Sequence, residues 1–224
     1  MSTPVVVCGV LFNRLGEEGD FSYMAHQPEH ANAVFVICEN VCDLFYAKEN
    51  GGGTAALRTE TSPISENPCA VGIPTGWSHE TGGFRSLIPV VRTLIDLAVA
   101  RVVAHLIKYP HVNKVLYSAD NVDINMLGAG IFKNTLSAEV CHYMSVAVRD
   151  IPQRHASALS KGSFPTFEEL RAQEILAPVP AFVFAQVIHE RDRTARMYLA
   201  LKGKLKLAGV NKRRHASTSF VNRR

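Results

Sequence analysis

The sequence predicts an α/β protein: three layers, a mostly parallel sheet with helices on both faces, and a basic C-terminal extension. Three observations carry this. Short apolar runs rich in β-branched residues recur at Val5–Phe12, Val34–Ile37, Ala70–Ile73 and Lys114–Ser118, and they are continuous rather than alternating, as strands covered on both faces are. A 22-residue stretch from Leu87 to Lys108 lies between the last two, with its apolar residues at three- and four-residue steps. Glycine-rich or Asp/Asn-rich turns follow the apolar runs, which is where open α/β sheets bind ligands.

Size and composition fit that class. The 224 residues, 47% of them hydrophobic and 20% charged, suffice for a full core and suit one α/β domain with an appendage. The net charge of +4 is unevenly spread. Residues 1–150 hold 10 Lys/Arg against 15 Asp/Glu, a net of −5, whereas residues 151–224 hold 14 against 5, a net of +9. We therefore divide the chain into an α/β ligand-binding domain over 1–150 and a C-terminal extension with a basic tail over 151–224. No signal peptide or membrane span is expected, since Met1-Ser2-Thr3-Pro4 lacks a basic region and no apolar stretch approaches about 18 residues. Cys8, Cys38, Cys42, Cys69 and Cys141 are scattered through apolar runs, which points to reduced, buried thiols and a cytoplasmic location.

In chain order, Val5–Phe12 reads as the first strand, followed by a solvated loop over Asn13–Asp20. His26 and His30 have the four-residue spacing of a metal pair on one helical face, but Pro28 between them opposes an established helix. They read as a site-lining loop or a helix start, and no metal site is assigned.

Val34–Ile37 is the second strand and ends in Glu39-Asn40. The triple glycine Gly51-Gly52-Gly53, followed by Thr54 and the helix-forming Ala55-Ala56-Leu57-Arg58, admits two readings. In one, backbone N–H groups free of side chains, together with the positive end of a short helix dipole, cradle an anion that Arg58 contacts bidentately. In the other, it is a flexible loop after a strand. Neither spaced Gly fingerprint, Rossmann or P-loop, is present.

Ala70–Ile73 is a third strand that Pro74 is expected to end, leaving Thr75 and Gly76 at its carboxyl end. Trp77, the only tryptophan, and His79 then fall in a loop closed by Gly82-Gly83. The ring either caps the core edge or offers a stacking surface for a base.

The helix over Leu87–Lys108 has Ser86 as its expected N-cap, Pro89 in its first turn, and Leu87, Val91, Leu94, Ile95, Ala98, Val102 and Leu106 on one apolar face. With the strands either side it predicts a right-handed parallel crossover. Asp120-Asn121-Val122-Asp123 and Gly128-Ala129-Gly130 follow the Lys114–Ser118 strand. Asp120 could bind a sugar hydroxyl, orient a water, hold a metal, or cap the turn. Ser137–Val148 predicts the last helix of the domain, with Val140, Tyr143, Met144 and Ala147 inward. Gln153–Pro165 reads as polar and turn-prone, Phe167–Leu176 as a short helix, and Ala181–Ile188 as a strand that could add to the sheet edge. From Arg191 onward there are 11 Lys/Arg and one acid, a footprint for nucleic acid or another polyanion or else a solubilising end.

The motifs Cys38-Glu39-Asn40, Gly52-Gly53-Thr54-Ala55-Ala56-Leu57-Arg58 and Gly72-Ile73-Pro74-Thr75, with Tyr117-Ser118-Ala119-Asp120 and Leu127-Gly128-Ala129-Gly130-Ile131-Phe132 further on, together resemble a family of small phage and bacterial α/β proteins. That family's signature is Gly-Gly-x-Ala-x-Ile/Leu-Arg followed by Gly-Ile-Pro-Thr, and the resemblance spans about residues 24–145. The pattern departs at Cys38-Glu39, where Gly-Asp is more usual. More distantly the family is similar to the macro-domain group of ADP-ribose binders, a macro/Rossmann-like architecture.

The resemblance implies a nucleotide- or ADP-ribose-type phosphate ligand. Gly51, Gly52, Gly53, Thr54 and Arg58 would hold the phosphates, Thr75 and Gly76 the floor, Asn40 or Asp120 the ribose, and Gly128 and Gly130 the neighbouring turn. If the ligand is hydrolysed, Asp120 would hold the attacking water. No Ser-His-Asp or Cys-His set, paired carboxylate motif or zinc signature stands out, and no cofactor is assigned. The alternative expectation is a phage-type assembly or nucleic-acid-associated protein acting through residues 191–224, resident in the host cytoplasm if phage-encoded.

Overall fold

The computed structural model describes residues 3–41, 57, 68–78, 81–128, 134–166, 169, 170 and 173. The chain divides into a compact unit over Met1–Pro180 and a second over Ala181–Arg224. All described residues fall in the first, so Ala181–Ile188 and the basic tail lie outside them.

A mostly parallel five-stranded sheet organises the first unit, as expected. In chain order its strands are β1 (Val6–Val10), β2 (Ala33–Asn40), β3 (Ala70–Ser78), β4 (Gly82–Gly83) and β5 (Lys114–Ser118). Their spatial order is β1-β5-β2-β3-β4. The first four neighbours in that order run parallel, and β4 closes the far edge antiparallel to β3. The helices are α1 (Phe21–Met24), α2 (Pro89–Lys108), α3 (Ala138–Arg149) and α4 (Ile151–Lys161).

The central strands are largely buried. Val34, Phe35, Val36 and Ile37 of β2 are each at most 2% exposed. Phe35 and Ile37 pack in a core cluster with Phe21 and Met24 of α1, Leu57, Ala70 and Leu116. The Phe21 and Phe35 rings are tilted by 59° at a centroid distance of 4.9 Å, a favoured aromatic geometry. Asp20 starts α1 by accepting a bond from the Ser22 N–H at 3.0 Å, the expected role of an acid at an N-cap.

Several expectations change. Strand β3 does not end at Pro74 but runs to Ser78, because its ladder with β2 absorbs the proline at a register shift between Glu39 and Asn40. A bulge is where a residue without an N–H is tolerated inside a sheet. Trp77 is therefore on a strand rather than in a loop. It meets the buried Phe84 edge-on, at 4.8 Å and 79°, which is the core-edge packing. The glycines expected to close that loop are instead strand β4.

Helix α2 begins at Pro89 with Ile88 in the N-cap position and no side-chain cap. The proline's fixed φ and absent N–H suit a first helical position, so Ser86 is not needed as the cap. The helix is buried beyond one face: Arg101, Val102, Val103, Ala104, His105 and Leu106 are all buried, since α4 packs against it as well as β3.

The segment after Asp150, read as turn-prone, is helix α4 up to Lys161. Pro152 lies in its first turn and Gly162 ends it at φ 67°, the left-handed stop that glycine favours. Helix α3 forms as expected, with Ser137 accepting from the Val140 N–H. Not all thiols are buried: Cys8 is exposed, Cys38 and Cys141 intermediate, and Cys69 buried. No helix among the described residues is long and apolar enough to cross a membrane.

Candidate functional site

The carboxyl ends of β2 and β5 are neighbours in the sheet, and polar groups gather there. Asn40, Glu39 and Thr75 are at most 3% exposed, and each belongs to the last residues of β2 or to the facing part of β3. Gly51, Gly52, Gly53, Thr54, Arg58 and Gly130 lie outside the described residues.

Of the other expected site residues, Asp120 follows β5. Its Oδ1 accepts the Val122 N–H at 2.8 Å, a turn-capping geometry, and its own N–H donates to Met126 O. Gly128 sits against the same turn, where its N–H donates to Ser118 O at 2.7 Å. A Cβ at Gly128 would stand 2.7 Å from the Ala119 carbonyl oxygen, so the close approach requires glycine.

Thr75 and Gly76 are held from both sides. The Thr75 hydroxyl donates to Glu39 O at 3.3 Å, and the Phe84 N–H donates to Thr75 O at 3.0 Å. Gly76 pairs with Gly83, and a Cβ there would run into the Gly82 carbonyl. These two residues back the site from within the sheet, whereas Asp120 and Gly128 stand in the turn beyond it.

Two thiols clasp that turn. The Cys38 S–H at the end of β2 donates to Gly128 O at 3.3 Å, and the Cys141 S–H on α3 donates to Leu127 O, also at 3.3 Å. Ser145, one turn along α3, accepts the Leu127 N–H at 2.8 Å. The turn that carries Gly128 is thus tied to β2 on one side and to α3 on the other. Burial, reinforced by Cys141 and only partly opposed by the Thr75 hydroxyl, pushes the Cys38 thiol up to about 12. Burial likewise raises Cys141. Both are thiols at neutral pH, suited to donating hydrogen bonds and not to nucleophilic attack.

A buried ion pair lies beneath. The Arg101 guanidinium of α2 donates to Gly72 O at 2.8 Å and stands 3.8 Å from Glu39 Oε2, with both side chains at most 4% exposed. A Cβ on Gly72 would collide with the Glu39 carboxylate. This gives a physical reason for the glycine of Gly72-Ile73-Pro74-Thr75: it leaves room for an acid from the adjacent strand.

Sequence reasoning does not single out Arg101, Cys38 or Cys141 as site residues. The signal for Arg101 is present, a cation on the apolar side of α2 beside Ala98 and Val102. The thiol clasp has no sequence signal, because its members are about a hundred residues apart.

His26 and His30 have local partners. His26 Nδ1 bonds Ser22 O at 2.8 Å, and His30 Nε2 lies 3.2 Å from Glu18 Oε2. No group of three or more His, Cys, Asp or Glu placed to hold a metal occurs among the described residues. Compared with family models, curated proteins and solved structures, the chain matches none.

Proposed function

We propose that this protein binds a nucleotide- or ADP-ribose-type phosphate ligand in the crevice at the carboxyl ends of β2 and β5. The observation that carries the reading is that β2 and β5 are neighbours whose following residues, Leu57 and α3, have different packing partners. After β2 the chain leads to Leu57, which joins the cluster around Phe21 and Phe35. After β5 it leads through the Gly128 turn to α3, whose Tyr143 donates to Asp96 of α2. Among the described residues the cluster around Phe35 includes Leu57 and no residue of α2 or α3, which supports a three-layer fold with Leu57 and α3 on opposite faces of the sheet. Adjacent parallel strands whose connections part in this way leave a crevice between their ends.

In this reading Asn40, Asp120 and Gly128 line the crevice, and Thr75 and Gly76 form its floor. Gly51–Gly53, Thr54 and Arg58 would supply the phosphate contacts that the sequence motif implies, and Gly130 would belong to the neighbouring turn. A hydrolytic step would place its water at Asp120.

A thermal-shift series on the full chain with ADP-ribose, NAD and cyclic nucleotides tests this, because a ligand that binds the native state raises Tm by mass action. Arg58→Ala should abolish the shift. Release of products from ADP-ribose, and its loss in Asp120→Asn, tests the hydrolytic step. No shift with any of these compounds sinks the reading.

A second reading rests on the charge of the C-terminal third, where 11 Lys/Arg face one acid from Arg191 onward. Here the chain acts through nucleic acid, as a phage-type assembly or nucleic-acid-associated protein. It requires salt-sensitive binding that disappears when residues 191–224 are removed and persists in Arg58→Ala.

A further inference from the structure

We propose that the free edge of β1 is a self-association surface, at which a second copy of this chain pairs its own β1 antiparallel across a two-fold axis and extends the sheet. The proposal is independent of the ligand reading.

Strand β1 is the last strand of the sheet and has β5 as its one neighbour among the described residues. Its hydrogen bonding to β5 is regular: the Val6 N–H donates to Asn113 O and the Ala119 N–H donates to Val10 O, each at 2.9 Å, with an unbroken parallel register between. Even-numbered residues thus turn their backbone groups toward β5. By the strand's alternation, Val7 and Gly9 turn their N–H and C=O groups outward.

Edge strands that must stay single are blunted by charge, proline or a bulge. Val6-Val7-Cys8-Gly9-Val10 has none of these. Val6 is 49% exposed and Cys8 is also exposed, on the same side of the strand. The edge therefore offers both a hydrogen-bonding row and an apolar strip.

A second copy suits this edge because the charge along it is polarised. Lys114 lies beside Val6 at the amino end, while beyond the carboxyl ends of β1 and β5 Glu17, Glu18, Asp120 and Asp123 outnumber Arg14, which pairs with Glu17 at 3.3 Å. Antiparallel pairing brings the acidic end of one copy to the basic end of the other. A two-fold also makes each outward Val7 or Gly9 meet an outward group of the same strand, which closes the contact as a dimer. In such registers Cys8 and its counterpart lie on the non-hydrogen-bonded row, where opposed side chains approach most closely.

Sedimentation of the full chain over a wide concentration range tests the proposal. The wild type should show a reversible monomer–dimer equilibrium, and Val6→Lys should raise its dissociation constant about tenfold or more by placing a charge on the strip. Val7→Pro should do the same, and since its N–H points away from β5 it removes no bond within the sheet. Circular dichroism checks that each variant is folded, with Val6→Lys decisive if Val7→Pro is not. A short bis-maleimide should join two wild-type chains through Cys8 and fail with Cys8→Ser. A monomer at every concentration overturns the proposal, as does a dimer untouched by Val6→Lys. Val7 and Gly9 amides protected from exchange in a monomer would also overturn it, by assigning the edge to another segment of the same chain.

Discussion

Strands β1 and β2 look alike in composition, yet the fold treats them oppositely. Val6-Val7-Cys8-Gly9-Val10 and Ala33-Val34-Phe35-Val36-Ile37-Cys38 are both apolar, uncharged and interrupted by one cysteine. In β2 every residue but Cys38 is buried, whereas in β1 Val6 and Cys8 are exposed and the other three half-buried. What differs is place in the sheet: β2 lies between β5 and β3, and β1 lies at the end. Hydropathy states that a strand is apolar, but its neighbours decide how much of it water reaches. The central strand can therefore carry buried polar groups in fixed geometry, while the edge strand leaves Val6 and Cys8 to solvent.

The largest test of that contrast is the ion pair at the end of β2. Removing one partner of a buried pair leaves an uncompensated charge, which costs about 3–5 kcal/mol. Arg101→Met should lower stability by that amount in chemical denaturation, because Glu39 is sealed beneath α2. Adding Glu39→Gln should recover part of the loss. If Arg101→Met costs no more than a surface substitution, within about 0.5 kcal/mol, the protected end of β2 is more accessible to water than its burial indicates.

The next effect is smaller and depends on pH. His105 lies on α2, one turn beyond Arg101, is 2% exposed, and its Nε2 has no hydrogen-bond partner in the described structure. Burial, with the positive charges of His111 and Lys108 adding to it, lowers this histidine from 6.5 to about 4. The unfolded chain therefore binds the proton first. Stability is full above pH 6.5, falls as the pH drops from there to about 4, and changes no further through this group below that. The shift corresponds to a loss of about 3 kcal/mol across that window. His105→Leu should flatten the urea midpoint over the same range, and an unchanged pH dependence in that variant would show that other groups set it.

How much of this was legible beforehand follows from the range of each interaction. Periodicity and punctuation are local, so the strands, α2 and α3 could be read from runs such as Val34–Ile37 and from the Ser137 cap. Helix α4 was missed because Gln153, Arg154 and Ser157 look like a loop until α2 is there to cover Ile151 and Ala158. Strand β3 ran past Pro74 for a non-local reason, the register shift against Glu39. At the site, Asp120 and Gly128 could be picked out by their turn chemistry. The thiols of Cys38 and Cys141, which hold that turn, could not, because only the completed sheet brings β2, the Gly128 turn and α3 together.

The two strands can also be compared through a single residue type, with no effect on stability. Cys8 of β1 is exposed, while Cys38 of β2 donates its S–H to Gly128 O and is pushed up to about 12. Because the thiolate is the attacking form, a thiol held near 12 presents only a minute reactive fraction at neutral pH. Brief alkylation of the native full-length chain, followed by peptide mass analysis, should modify Cys8 well before Cys38, and denaturant should abolish the order. Raising the protein concentration should slow labelling at Cys8 if the β1 edges pair, and leave Cys38 unchanged. Equal rates at the two positions in the native protein would mean that the Gly128 turn opens readily. In that case the thiol clasp would not hold that turn in place.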